Sequence, residues 1–104
     1  MIDVTVLFLD GTFSSTAIGP MEVFRHSGLL WNMLTGKPVD PPFRVSTASL
    51  DGSAVNCEGE IQIRNPARMT DIRKTDLILI PSTRPELEAV VQRTERVVPW
   101  LRSL

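Results

Sequence analysis

Thr75-Asp76-Leu77-Ile78-Leu79-Ile80-Pro81-Ser82 decides how the rest of the chain is read. Four consecutive apolar residues follow a polar pair and stop at a proline. A strand with one face in water alternates apolar and polar residues. An unbroken run instead fits a short strand buried on both faces, as in the middle of a parallel sheet with helices packed on either side. The expectation is an interior strand flanked by partners. Pro81-Ser82-Thr83 then turns the chain at that strand's carboxyl end, where open α/β sheets place their ligands.

Working outward, residues 2–9 read as a first strand, rich in Val, Ile and Phe. Asp10-Gly11-Thr12 is a turn signal at its carboxyl end. Ser14 or Ser15 is expected to cap a helix. Ile18, Met21, Val23, Phe24, Leu29, Leu30, Met33 and Leu34 recur at roughly helical spacing. Gly19-Pro20 interrupts them: the helix either begins at Pro20 or begins near Ser15 and kinks. Gly28 ends or bends it and Gly36 stops it. Residues 37–42 form a proline-stiffened loop. Residues 43–49 alternate, which suits a strand nearer an edge of the sheet.

Asp51-Gly52 turns the chain. Residues 54–57 and 60–63, separated by Glu58-Gly59, look like a small antiparallel pair that ends at Asn65-Pro66. Arg64, Arg68, Arg73 and Lys74 read as a solvated connection to the central strand. After that strand, Pro85 is expected in the first turn of a helix, with Glu86 and Glu88 at its dipole-positive end. A further helical turn or two, entered at Thr94, carries Val97, Val98, Trp100, Leu101 and Leu104. Strands alternating with helices imply a parallel sheet with right-handed crossovers. The economical strand order is 2-1-3, with a switch point between the first and third.

A chain of 104 residues can bury a single core with little to spare. Its formal net charge of -1 offers no basic face for nucleic acid. The one cysteine, Cys57, excludes an internal disulfide framework and fits a reducing cytosol. No apolar run is long enough to cross a bilayer, and the start lacks the basic end of a signal peptide. Pairs of His, Cys, Asp or Glu at metal-ligand spacing are missing, so no metal or other cofactor is implied. His26, the only histidine, reads as a solvated helix residue. Asp10 is the best polar candidate for a ligand contact, against the plainer role of turn capping. The absence of a helix stop or polar tail after Trp100 suggests the front part of a larger α/β domain; the alternative is a small domain whose exposed edge pairs in an oligomer.

Residues 4–9, Gly11, Ile18-Gly19-Pro20-Met21-Glu22-Val23-Phe24 and 76–81 together resemble the N-terminal portion of the ThiJ/PfpI family, with its class I glutamine amidotransferase-like, flavodoxin-type fold. The run around Gly19-Pro20 is most similar to the amidotransferase-like domains at the front of AraC-type transcriptional regulators. Pro99-Trp100-Leu101-Arg102 resembles the Trp-Leu pair those proteins carry ahead of their nucleophile strand. The likeness covers nearly all of residues 1–104, read as a partial amidotransferase-like domain. It implies that a nucleophilic cysteine lies beyond the Trp-Leu pair, outside this sequence. Cys57 does not replace it, because it falls in the antiparallel excursion. The position of the family's acid in the first helix matches Thr16, which cannot ionise. A Gly-Gly pair whose N–H groups help hold an oxyanion is replaced by Ser82-Thr83.

The resemblance therefore implies a non-catalytic ligand-sensing and dimerisation domain of an AraC-type regulator. A small-molecule effector is expected in the crevice bordered by Asp10, Gly11, Thr12, Thr16, Ser82 and Thr83. DNA would be bound only through a region outside this chain. Two alternatives are a truncated ThiJ/PfpI-type hydrolase or hydratase and a plain interaction module. The latter would pair its apolar edge strand and C-terminal helix with a second copy.

Overall fold

In the computed structural model, which describes residues 1–64 and 66–104, the side chains of Leu87, Glu88, Ala89 and Gln92 are left aside. The expected end of the excursion at Asn65 and the Glu88 carboxylate therefore lie outside the described residues. Among the described residues six strands form: β1 (Ile2–Leu7), β2 (Phe43–Ser49), β3 (Val55–Cys57), β4 (Ile61–Ile63), β5 (Ala67–Arg68) and β6 (Leu77–Leu79). Three α-helices accompany them there, α1 (Ser14–His26), α2 (Leu30–Leu34) and α3 (Leu87–Ser103), with a short 3-10 turn over Met69–Asp71.

β1 has the apolar content to be dry on both faces, and it takes an interior place. The main sheet runs in the order β5-β2-β1-β6, with every neighbouring pair parallel. Val4 stands opposite Val45 on one side and Leu77 on the other. The order 2-1-3 expected for the three principal strands is the one found. The α/β class is flavodoxin-like, with β3 and β4 as the small antiparallel excursion.

Alternation along residues 6–9 splits the core in two. Leu7 and Leu9 pack with Ala48, Met69, Val97 and Trp100 on the α3 side. Val6 and Phe8 pack with Ala17, Val55 and Cys57 on the α1 side. Leu7 and Phe8 are fully buried, and each contributes about 1.5–3 kcal/mol relative to exposure. Trp100 also ties α3 to the chain before β6, its indole N–H donating to the Ile72 carbonyl at 3.0 Å.

Four expectations need correction. First, β6 is covered on its faces, through Ile78 and Leu79, but its only strand neighbour among the described residues is β1. Leu77 and Ile80 consequently remain 41% and 46% exposed, so the strand is an edge and not an interior one. Second, neither Ser14 nor Ser15 caps α1: Phe13 occupies the cap position without a side-chain bond, although the helix does start beside Ser15 with Pro20 inside it, as one of the two expected starts requires. Third, Pro85 precedes α3, which is a single helix spanning both expected pieces, with Pro99 inside it. Fourth, His26 is half-buried rather than solvated. The basic residues Arg64, Arg68, Arg73 and Lys74 are all exposed, as expected of a solvated connection.

Gly28 (φ +70°) interrupts the apolar helical pattern between α1 and α2. Its carbonyl accepts the Asp40 N–H at 3.0 Å, which folds the loop after α2 back onto the helix end.

Candidate functional site

The carboxyl ends of β1 and β6 carry the turns expected to form a ligand crevice. After β1, the Thr12 N–H donates to the Leu9 carbonyl at 3.0 Å. The Thr12 hydroxyl also donates to that carbonyl, and it accepts the Leu9 N–H at 3.1 Å. Thr12 is fully buried. Its polar atoms are spent on closing the turn, so it shapes the site without presenting a hydroxyl to it.

The two turns are stitched together. Thr12 and Thr83 form an isolated antiparallel bridge. The Phe13 N–H donates to the Ser82 carbonyl at 2.9 Å, and the Arg84 N–H donates to the Gly11 carbonyl at 3.1 Å. Thr16, one turn into α1, donates its hydroxyl proton to the Phe13 carbonyl at 2.7 Å. Its oxygen accepts the Ser82 N–H at 3.0 Å. All six sequence-expected residues are thus gathered at one end of the sheet, but the hydroxyls of Thr12 and Thr16 face inward to backbone.

Asp10 does not cap its own turn. Its Oδ1 accepts the Asn56 N–H at 3.1 Å, while the Gly11 N–H donates to the Asn56 carbonyl at 2.9 Å. These bonds, with the Glu58 N–H on the Thr12 carbonyl at 2.9 Å, fasten the β3–β4 excursion against the β1 turn. Between them opens a groove of about 490 Å³ lined by Asp10, Gly11, Cys57, Glu58, Glu60 and Arg84, among others. Three carboxylates face one guanidinium there. Arg84 reaches Glu58 at 2.6 Å and Glu86 at 3.1 Å, all with side chains at least a third exposed. Such screened pairs contribute about 0–1 kcal/mol each, so their effect is to hold the guanidinium in place over the groove.

Cys57 lies buried at the groove floor. Burial, and then the negative charge of Asp10, push its thiol up from the ordinary range. A thiol kept protonated is a poor nucleophile, which agrees with reading it as structural. Against the other side of Thr83 lies a smaller apolar trench of about 260 Å³ between α3 and the end of β6, walled by Ile80, Pro81, Val90, Val97 and Leu101.

Sequence reasoning missed Arg84, Asn56, Glu58 and Glu60. The signal for Arg84 was available: it follows Ser82-Thr83 directly and is the first charge after the central strand. Nothing in the sequence announced the docking of the β3–β4 excursion onto Asp10. Among the described residues, no group of three His, Cys, Asp or Glu side chains is placed to hold a metal ion. No helix there is long and apolar enough to cross a membrane.

A parallel sheet ordered 2-1-3, with helices on both faces and an antiparallel excursion beside the first turn, defines a flavodoxin-like α/β fold. Solved structures share that fold. A proposed transcriptional regulator from Vibrio parahaemolyticus aligns with a TM-score of 0.71 at 16% identity, over 99% of this chain and 50% of that one. Drosophila melanogaster DJ-1beta aligns at 0.70 and 21% identity, over 98% of this chain and 48% of that one. An AraC family transcriptional regulator from Pseudomonas putida aligns at 0.56 and 15% identity, over 91% and 51%. The chain thus spans about half the length of the solved structures it matches. No protein-family model and no curated protein matches the sequence.

Proposed function

We propose that residues 1–104 form the front part of an amidotransferase-like domain that senses a small molecule and dimerises within an AraC-type transcriptional regulator, without catalysing a reaction. The fold likeness to two regulators supports the class. The observation that carries the non-catalytic half is the bond from the Ser82 N–H to the Thr16 hydroxyl. An oxyanion is stabilised by N–H groups aimed at the place where negative charge develops. Here a neutral hydroxyl already fills that direction, on the residue that resembles the family's acid. One substitution pattern thus takes away both an ionisable group and a free donor.

The groove beside Asp10 and Arg84 is the effector site in this reading. Its mixed charges give orientation to a small polar ligand, and Gly11 lets backbone approach it closely. DNA contact belongs to a region outside this chain, in keeping with the formal net charge of -1. Calorimetric titration with panels of amine-bearing, carboxylate-bearing and neutral metabolites tests the proposal. Saturable binding weakened about tenfold or more by Arg84→Ala, a charge-assisted contact worth roughly 1.5–3 kcal/mol, is expected, with no turnover in hydrolase or hydratase assays. Turnover of any panel member by the chain, or binding untouched by Arg84→Ala, overturns it.

A further inference from the structure

The cation of the groove is occupied from within. Glu58 stands between β3 and β4, its N–H fixed to the Thr12 carbonyl at 2.9 Å. From there its carboxylate Oε1 lies 2.6 Å from Arg84 Nε. That oxygen is buried, yet among the described residues no donor is aimed along a hydrogen bond to it. The contact therefore has the attraction of opposite charges without the directed bonds that make an arginine–carboxylate pair strong. Glu86 holds the guanidinium from another edge, Nη2 to Oε1 at 3.1 Å, and is not part of the groove wall. The Arg84 side chain also lies across Gly11, where a Cβ would stand 3.5 Å from Nε. Glu86 and the Gly11 surface keep the guanidinium over the groove whether or not Glu58 is on it.

We propose that Glu58 is a built-in competitor for the ligand's acid group: a carboxylate entering the groove displaces Glu58 from Arg84, and the site takes a molecule with a single carboxylate in preference to a diacid or a phosphate. The assignment deepens the effector reading above and rests on this groove being the effector site. Displacement costs little because the pair is screened, with the Arg84 side chain 53% exposed and that of Glu58 33%. Only a side chain has to move, since the bond from the Glu58 N–H to Thr12 does not depend on it. A carboxylate that is not tethered to the excursion can align both oxygens with the guanidinium N–H groups, which Glu58 does not achieve. The limit on charge comes from the lining, where Asp10, Glu58 and Glu60 stand against one arginine. A first carboxylate replaces Glu58 on the cation. A second negative charge would meet Asp10 and Glu60 instead, and like charges at short range repel.

Titration of the 104-residue chain with acetate, followed at the Arg84 Nε–H by nitrogen-15 NMR, tests the assignment. The resonance is identified by its loss in Arg84→Lys. Acetate should shift it saturably and acetamide should not, while succinate and inorganic phosphate should bind more weakly than acetate. Glu58→Gln should lower the acetate midpoint about two- to fivefold, the span of a screened pair. Glu86→Gln takes the same charge from the same guanidinium outside the groove, so it should move the midpoint less. Both variants should melt with the wild type, because the two pairs are solvent-screened. No shift with acetate, a midpoint unchanged or raised in Glu58→Gln, or an equal gain in Glu86→Gln overturns the proposal. So does tighter binding of succinate or phosphate than of acetate. The effector reading fails separately, when metabolite binding ignores Arg84→Ala. Metabolite binding that needs Arg84 but is indifferent to Glu58→Gln overturns the displacement alone.

Discussion

Gly28 and Gly36 share a backbone conformation, φ +70°, yet their surroundings differ completely, and this sets up a paired test. A Cβ at Gly36 would meet nothing within 4 Å. Gly36→Ala therefore carries only the conformational cost of a left-handed L-residue, about 1–2 kcal/mol. A Cβ at Gly28 would collide with the Asp40 carbonyl oxygen and stand 2.9 Å from the Asp40 carbonyl carbon and 3.2 Å from Pro41 Cα. Those are backbone atoms and cannot swing aside as a side chain would. Their displacement also breaks the 3.0 Å bond from the Asp40 N–H to the Gly28 carbonyl, worth about 0.5–1.5 kcal/mol. With overpacking at about 1–3 kcal/mol, Gly28→Ala should cost about 3 kcal/mol or more. That is a large part of the roughly 5–15 kcal/mol total of a typical domain. Urea unfolding followed by circular dichroism measures both variants. A domain of this size loses about 4–8 °C in Tm per kcal/mol, so the Gly28 variant should melt well below the Gly36 one. Equal losses, or a greater loss at Gly36, would refute the claim that a backbone approach at Asp40 fixes this corner.

Two further outcomes follow from the site and the sheet. Thr12→Val removes the buried acceptor of the Leu9 N–H while the Thr12 N–H still serves the Leu9 carbonyl; the orphaned donor should cost about 1–3 kcal/mol, read as a lower urea midpoint with an unchanged slope. The hydrogen bond from Arg44 holds the Asp3 carboxyl below its ordinary 3.8, so its stabilisation is fully present above that value. It is lost as pH falls through the lower folded one. Asp3→Asn should make acid unfolding below pH about 4 less steep than in the wild type, and an identical acid limb would count against that ion pair.

The sheet was legible because residues 2–9 and 77–80 carry β-branched and aliphatic runs that leave few alternatives. The turn residues Asp10-Gly11 and Pro81-Ser82 were expected at the carboxyl ends of β1 and β6, and that is where they lie. What was not legible depended on distance in sequence. Asp10 looked like a local cap, since an aspartate in a turn ordinarily bonds a neighbouring backbone group. It reaches Asn56 instead, 46 residues away. Thr16 was recognised as an acid's replacement. Its bond to the Ser82 N–H, 66 residues on, needed the register of β1 against β6 before it could be seen. Ser14 and Ser15 failed as caps because the chain entering α1 is held by Phe13, whose N–H is already pulled to Ser82.

The two misplaced apolar segments share a cause. Periodicity reports which residues gain from leaving water; it does not report what covers them. Leu77 and Ile80 pointed to an interior strand, and the faces of β6 are indeed packed, but among the described residues no strand pairs with its outer edge. The Asp76 N–H turns toward β1, donating to the Asp3 carbonyl at 2.9 Å. Alternation along a strand then directs the backbone groups of Leu77 and Leu79 away from the sheet. No charge or bulge guards that row, which is how edges are ordinarily kept from pairing. Likewise, the spacing of Leu29, Leu30, Met33 and Leu34 marked a helix with a dry side, and Leu30, Met33 and Leu34 stand in water. At α2 the Asn32 amide donates to the Pro38 carbonyl and its carbonyl accepts the Lys37 N–H, so the helix is tied to the loop that follows it, and its apolar spacing named the element without naming what covers it.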